Sequence, residues 1–229
     1  MASFSDESSV EGALYGPSHK DFFSDANRPT SFGTTQEWNQ LRNQLFYIGT
    51  GFRDKRVVGT DGYFTFTDDR AVCWDIARKM NLMQEFYSVS KMVVGVCGRQ
   101  IVELVISMYP PPGGFNAHMV GGRIKEICNC PAAISAKLRH INELGNKEAH
   151  ALSEDITPQQ KAHVASAIFE LVQEVWNVVA SAYPIEKAQA ISKASHLATQ
   201  GVTTTVWGTE SADVLTPLSM WLEDKALSS

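Results

Sequence analysis

The chain has little of what marks a secreted, membrane-borne or broadly basic protein. It carries four cysteines in 229 residues, too few to form the framework of a disulfide scaffold. Basic residues do not outnumber acidic ones. The formal net charge is −5, which argues against sequence-blind nucleic-acid binding, a function that needs a surplus of Lys and Arg. There is no long apolar run. The most apolar stretch, Met92 to Met108, is interrupted by Arg99, Gln100 and Glu103 and is too short to span a bilayer. The first residues, Met1 to Gly12, are acidic and Ser-rich, without the basic start and apolar centre of a secretion signal. These absences point to a cytoplasmic, reducing setting with no membrane partner, in which Cys73, Cys97, Cys128 and Cys130 are free thiols.

Familiar catalytic signatures are missing too. The sequence has no phosphate loop, no Gly-x-Ser-x-Gly and no dinucleotide fingerprint. His19, His118, His140, His163 and His196 show no ligand spacing. Cys128-Asn129-Cys130 offers a single close pair where structural zinc sites use two, so these thiols read as small buried residues. No metal and no other cofactor is expected. Gly113-Gly114 and Gly121-Gly122 follow no strand and read as turns.

What is present describes a globular, mainly α protein. Hydrophobic residues make up 44% of the chain and charged residues 20%, and the length suffices for a sizeable core. Residues 1–33, rich in Ser, Gly, Asp and Pro, read as an irregular arm. Residues 34–81 read as a helix–hairpin–helix extension. Trp38, Leu41, Leu45 and Ile48 give its first helix an apolar stripe. The apolar residues around Gly59-Thr-Asp-Gly62 suggest a small β-hairpin near 55–66. Thr67 or Asp68 then caps a second helix.

Residues 82–183 read as a helical bundle. Its first long helix, Leu82 to Met108, ends at Pro110-Pro-Pro-Gly-Gly114. A short helix follows from about Asn116 to Cys128, then one from Pro131 to about His150. Thr157-Pro-Gln-Gln160 has the form of a capping box and opens a helix that stops near Tyr183. Ile168, Val175, Leu104 and Leu138 are expected in the core. Residues 184–229 read as a polar helix, Ile185 to Thr199, and an irregular tail carrying Trp207 and Trp221.

The residues with most chemical content lie on Arg139-His-Ile-Asn-Glu-Leu-Gly-Asn-Lys-Glu-Ala-His150. Helical geometry places Arg139, Glu143, Asn146 and His150 on one face, with Asn142 at its edge. Taken alone, such a stripe is the solvated face of any surface helix. Arg99 and Glu103, four residues apart on an apolar helix, suggest an ion pair within a buried network.

The order of these features resembles the HEPN superfamily, the "higher eukaryotes and prokaryotes nucleotide-binding" helical domains. It is most similar to a branch with a Gly-Asn, three residues and then His, here Gly145-Asn146-Lys-Glu-Ala-His150. The branch also has an Arg and a Glu four apart upstream, here Arg99 and Glu103. Between them lies a short middle helix, here Gly122-Arg123-Ile-Lys-Glu-Ile127, and a Thr-initiated last helix follows, here from Thr157. The resemblance spans Tyr87 to Tyr183 and implies a HEPN-like bundle.

In active members an Arg about four to six residues before the His grips phosphate while the His moves a proton, without metal. This chain departs from that pattern, having Glu143, Leu144 and Gly145 there. The nearest upstream Arg, Arg139, is about 16 Å from His150 along the helix. The resemblance therefore implies a protein-interaction or self-assembly module, a homo-oligomer or the binder of another protein, with a degenerate ribonuclease site. The alternative is a metal-independent endoribonuclease acting on RNA. It would use His150 and Asn146 with Arg99, with Arg123 from a neighbouring helix, or with an Arg from another copy, in a cleft bordered by Glu103, Arg139, Asn142 and Glu143. A third reading is a purely structural assembly subunit.

Overall fold

The computed structural model describes residues 35–52, 55–58, 64–87, 93–148 and 157–199. Seven α-helices lie among the described residues: α1 (Thr35–Gly49), α2 (Asp69–Phe86), α3 (Val93–Ser107), α4 (Val120–Glu126), α5 (Ala132–Glu148), α6 (Pro158–Ala182) and α7 (Pro184–Thr199). Between α1 and α2, after a 3₁₀ turn at Thr50–Phe52, come two short strands, β1 (Arg56–Val58) and β2 (Phe64–Phe66). They pair antiparallel with Arg56 opposite Phe66 and Val58 opposite Phe64. The arm 1–33 and the tail with Trp207 and Trp221 fall outside the described residues.

Local chemistry sets most of the boundaries. Asp68 caps α2 by accepting from the Arg70 backbone N–H. With no Gly or Pro from Asp69 to Phe86, nothing stops that helix, and its buried face continues through Met80 and Met83 to Tyr87. It therefore runs through the 81/82 position at which the sequence reading placed a domain boundary, and the next helix starts at Val93 rather than Leu82. The end of α3 tightens through Met108 N–H to Val105 O (3.2 Å) and Tyr109 N–H to Ile106 O (3.0 Å) before the proline run.

The expected helix from Asn116 to Cys128 shortens to Val120–Glu126. A Glu126 carboxylate oxygen accepts from the Asn116 (2.8 Å) and Ala117 (3.2 Å) amides, which holds that segment as a loop. At the other end, Cys128 N–H donates to Tyr109 O, and Asn129 takes φ 55°, in the left-handed region that Asn tolerates. The Pro131 carbonyl accepts the first bond of α5, from Ser135. Thr157 and Gln160 close a complete capping box on α6. Tyr183 ends α6 through its N–H to Val179 O and starts α7 by accepting from Lys187 N–H.

The long helix α6 is central, packing against α3 and α5 and touching α1, α2 and α7, while α1 lies between α2 and α7. One hydrophobic core joins them, running from Trp38 on α1 to Ala190 on α7. The helices expected to pair in the bundle do meet on α6, but α1, α2 and α7 pack into the same core. Ile168, Val175 and Leu138 are fully buried, each worth about 1.5–3 kcal/mol of transfer free energy. Leu104 is only partly buried at the core's margin. Its position on α3 faces the rim, because Ile101, Val102 and Val105 fill the inner face.

Candidate functional site

Helix α5 carries the stripe singled out above. Its inner face is fixed by Ile134 and Leu138, both fully buried, which turns Arg139 and Glu143 out to solvent and leaves Asn142 half-buried. Asn142 sits against the start of α4: a methyl group on Gly121 would lie 3.1 Å from its Oδ1. The backbone of Asn146 belongs to α5, but its side chain and all of His150 fall outside the described residues.

The three arginines considered as phosphate ligands differ in exposure and in partners. Arg99 is 62% exposed and pairs through Nε with Glu103 Oε1 at 3.0 Å. This corrects the expectation of a buried network: the pair sits on the outer face of α3, where it contributes a few tenths of a kcal/mol. Arg123 is only 2% exposed, with its guanidinium carbon 4.4 Å from the Phe115 ring centroid. That cation–π contact offsets part of the cost of burying the charge. Arg139 stays in solvent.

Polar centres that sequence reasoning missed lie elsewhere. Arg42 of α1 is 2% exposed. Its Nη1 donates to Asn81 Oδ1 (3.1 Å) and Gln84 Oε1 (2.6 Å), and its Nε and Nη2 donate to Asn43 Oδ1. Gln84 Nε2 donates to Asn39 Oδ1, and Asn81 Nδ2 donates to Glu85 Oε1 at 2.7 Å. Asn81 thus bridges the buried cation and Glu85. Burial pulls Arg42 down to about 10, opposed by Glu85. Burial likewise raises the Glu85 carboxyl, opposed by the Asn81 hydrogen bond and Arg42. Neutral amides satisfy most of the guanidinium's donors, so the network fixes how α1 and α2 sit together. A faint signal was available: Asn39, Arg42 and Asn43 recur at helical spacing beside the apolar stripe of α1.

A second centre is Arg70. It grips Asp68 through two bonds, reaches Glu186 Oε1 at 2.6 Å, and lies between the Phe52 ring (3.6 Å) and the Tyr183 ring (4.2 Å). Its hydrogen bonds hold the Asp68 carboxyl below the usual range. The third is Lys161 of α6. Its ammonium donates to the Tyr87 carbonyl at the end of α2 and sits 4.2 Å from the Tyr87 ring centroid. Burial draws this amine down to about 8. Its place at a helix C-terminus matches the negative pole there. A fourth feature is a pair of exposed imidazoles, His140 on α5 and His163 on α6, with ring centroids 6.2 Å apart.

All four cysteines are free. Burial pushes Cys97 and Cys130 up to about 11, which keeps them as thiols near neutral pH. Among the described residues no three His, Cys, Asp or Glu side chains gather as a metal site, and no helix is long and apolar enough to cross a membrane. Known protein families, characterised proteins and solved structures were compared with the chain, and none matches it.

Proposed function

We propose that the chain is a HEPN-like protein-interaction module that associates with a second copy of itself and carries a degenerate ribonuclease site. The arms Arg56–Val58 and Phe64–Phe66 form its small β-hairpin, and it works in the reducing cytoplasm, a setting that suits four free cysteines. The observation that carries the reading is how the candidate cations are held. Phosphoryl chemistry without metal needs a cation preorganised where charge develops. Arg123 packs on Phe115 inside the fold, Arg99 pairs with Glu103 on the surface, and Arg139 lies eleven residues before His150 in the sequence. The exposed residue one turn closer is Glu143. Its repulsion of phosphate is screened by water and salt, so the lack of an arginine at the family's spacing before His150 matters more than the added anion.

The test compares chelator-treated wild type with His150→Ala on a mixed RNA pool, alongside sedimentation equilibrium of the full chain. The expected outcome is no cleavage by either protein and a concentration-dependent dimer. Wild-type cleavage that disappears in His150→Ala would replace this reading with the endoribonuclease. A monomer at all concentrations would remove the self-assembly half of it.

A further inference from the structure

We propose that His140 and His163 form a two-imidazole site for a divalent transition metal, bridging α5 and α6. The two residues are 23 positions apart, so no ligand motif joins them in the chain. The fold brings them together: both are exposed, and their rings lie 6.2 Å apart at 49°. Near them in the chain, Leu138 and Ile141 of α5 and Ala162 and Ala165 of α6 are buried. One turn before His140, Lys137 pairs with Glu170 across the same two helices.

The spacing suits shared coordination. With metal–nitrogen bonds of about 2.05 Å and each ring centroid about 1.1 Å behind its donor, a tetrahedral pair has centroids about 5.2 Å apart. The observed separation exceeds this by about 1 Å. Exposed imidazoles cover that distance by small rotations about χ1 and χ2. Neutral imidazole is a ligand for Zn²⁺, Ni²⁺ and Cu²⁺, and a bridge between two helices adds a constraint that one histidine cannot supply. No third His, Cys, Asp or Glu completes a cluster among the described residues, so water fills the remaining positions. Such a site holds metal reversibly rather than as a closed structural centre. Its effect is to clamp the motif-bearing helix α5 to α6. This proposal does not rest on the ribonuclease or assembly readings.

The experiment titrates the metal-stripped full chain with Ni²⁺ and, separately, Zn²⁺ by calorimetry, and follows the melting temperature. Binding to the folded state alone raises Tm by roughly 5–10 °C at free metal one hundred times Kd. The site should bind one ion per chain and lose affinity on acidification, as protons take the imidazole lone pairs. His140→Gln and His163→Gln should each weaken binding at least tenfold, and the double variant further still. His118→Gln, His196→Gln and the double Cys128→Ser/Cys130→Ser variant should bind as wild type does. Circular dichroism confirms that the surface variants fold, and electron paramagnetic resonance of the wild type with one equivalent of Cu²⁺ should show two equatorial imidazole nitrogens. The proposal is overturned if metal leaves Tm unchanged, if either single His variant binds like wild type, or if only the cysteine variant loses binding.

Discussion

Gly49 closes α1 directly against the first turns of α2, and replacing it with Ala tests that contact. A methyl group there would lie 2.5 Å from the Trp74 nitrogen, 2.6 Å from the Arg70 carbonyl oxygen and 2.7 Å from Trp74 Cβ. Arg70 O and Trp74 N stand four residues apart, the spacing of an α-helical hydrogen bond, so the methyl would press on the backbone ladder of α2. Ordinary contacts need about 3.5 Å, so the helices must part by roughly 1 Å. No side chain can rotate aside to provide it. Separation loosens Leu45 and Ile48 of α1, which are buried in the same core. Overpacking of this kind costs about 1–3 kcal/mol, and backbone atoms put this case at the upper end. Removing a helical glycine returns at most about 1 kcal/mol. The expected net loss is about 2 kcal/mol, read as a drop of about 1 M in the urea midpoint with an unchanged slope. Gly98→Ala is the control: its methyl would meet only Ile168 side-chain carbons at 3.2 and 3.3 Å, which can shift. It should stay within about 1 kcal/mol of wild type, where relief and helix propensity offset each other. If Gly49→Ala is no less stable than Gly98→Ala, the close approach of α1 and α2 is wrong.

Three further outcomes are expected. Arg42→Ala should lose about 3–5 kcal/mol by stranding the Asn43, Asn81 and Gln84 oxygens, and Arg42→Met less, because it fills the volume; a denaturant-measured loss below about 1 kcal/mol for Arg42→Ala would show the network to be slack. Lys161 sits at about 8 in the fold against a reference of 10.5. Between those values the unfolded chain binds more protons, so stability should rise with pH across that window. Lys161→Met should flatten the rise in parallel melts, and an identical slope in both proteins would rule Lys161 out as its source. Thr157→Ala should cost about 1 kcal/mol of thermal stability, and Thr157→Ser little, because only the hydroxyl acceptor of the α6 cap is at stake; equal losses from both would mean the cap contributes through something else.

The legible parts of the fold were those with a local cause. The capping box at Thr157, Pro131 before α5 and Pro184 after α6 each fixed a boundary from neighbours within a few residues. The stripe Trp38, Leu41, Leu45, Ile48 identified α1 and its buried face. The polar run Asn81, Gln84 and Glu85 hid the continuity of α2. Its polar atoms are taken up by Arg42 about forty residues away, so the helix keeps going where a solvent-facing reading sees a change of element. The same distance problem concealed the functional candidates. Lys161 finds its partner 74 residues upstream, and His163 meets His140 only because α5 and α6 pack side by side. Arg123 reads in the sequence as a candidate cleft residue, because nothing in its own helix forecasts its packing on the Phe115 ring.

These long-range contacts also bear on the proposal that Tyr87 to Tyr183 is a HEPN-like unit. The resemblance spans Tyr87 to Tyr183, yet its central helix α6 packs against residues outside those limits. Trp38 of α1 stacks on Phe169 with ring centroids 5.4 Å apart. Arg70 of α2 joins Tyr183 to Glu186 of α7. A fragment cut to the resemblance would bare Phe169 and strip the clamp from the end of α6. Trp38 buries on the order of 200 Å², so its loss alone forfeits several kcal/mol, an appreciable share of the 5–15 kcal/mol that holds a domain folded. A silent fragment would therefore report misfolding rather than a degenerate site. Only the chain with α1, α2 and α7 in place keeps Phe169 covered and the end of α6 clamped, the setting in which α5 packs on α6.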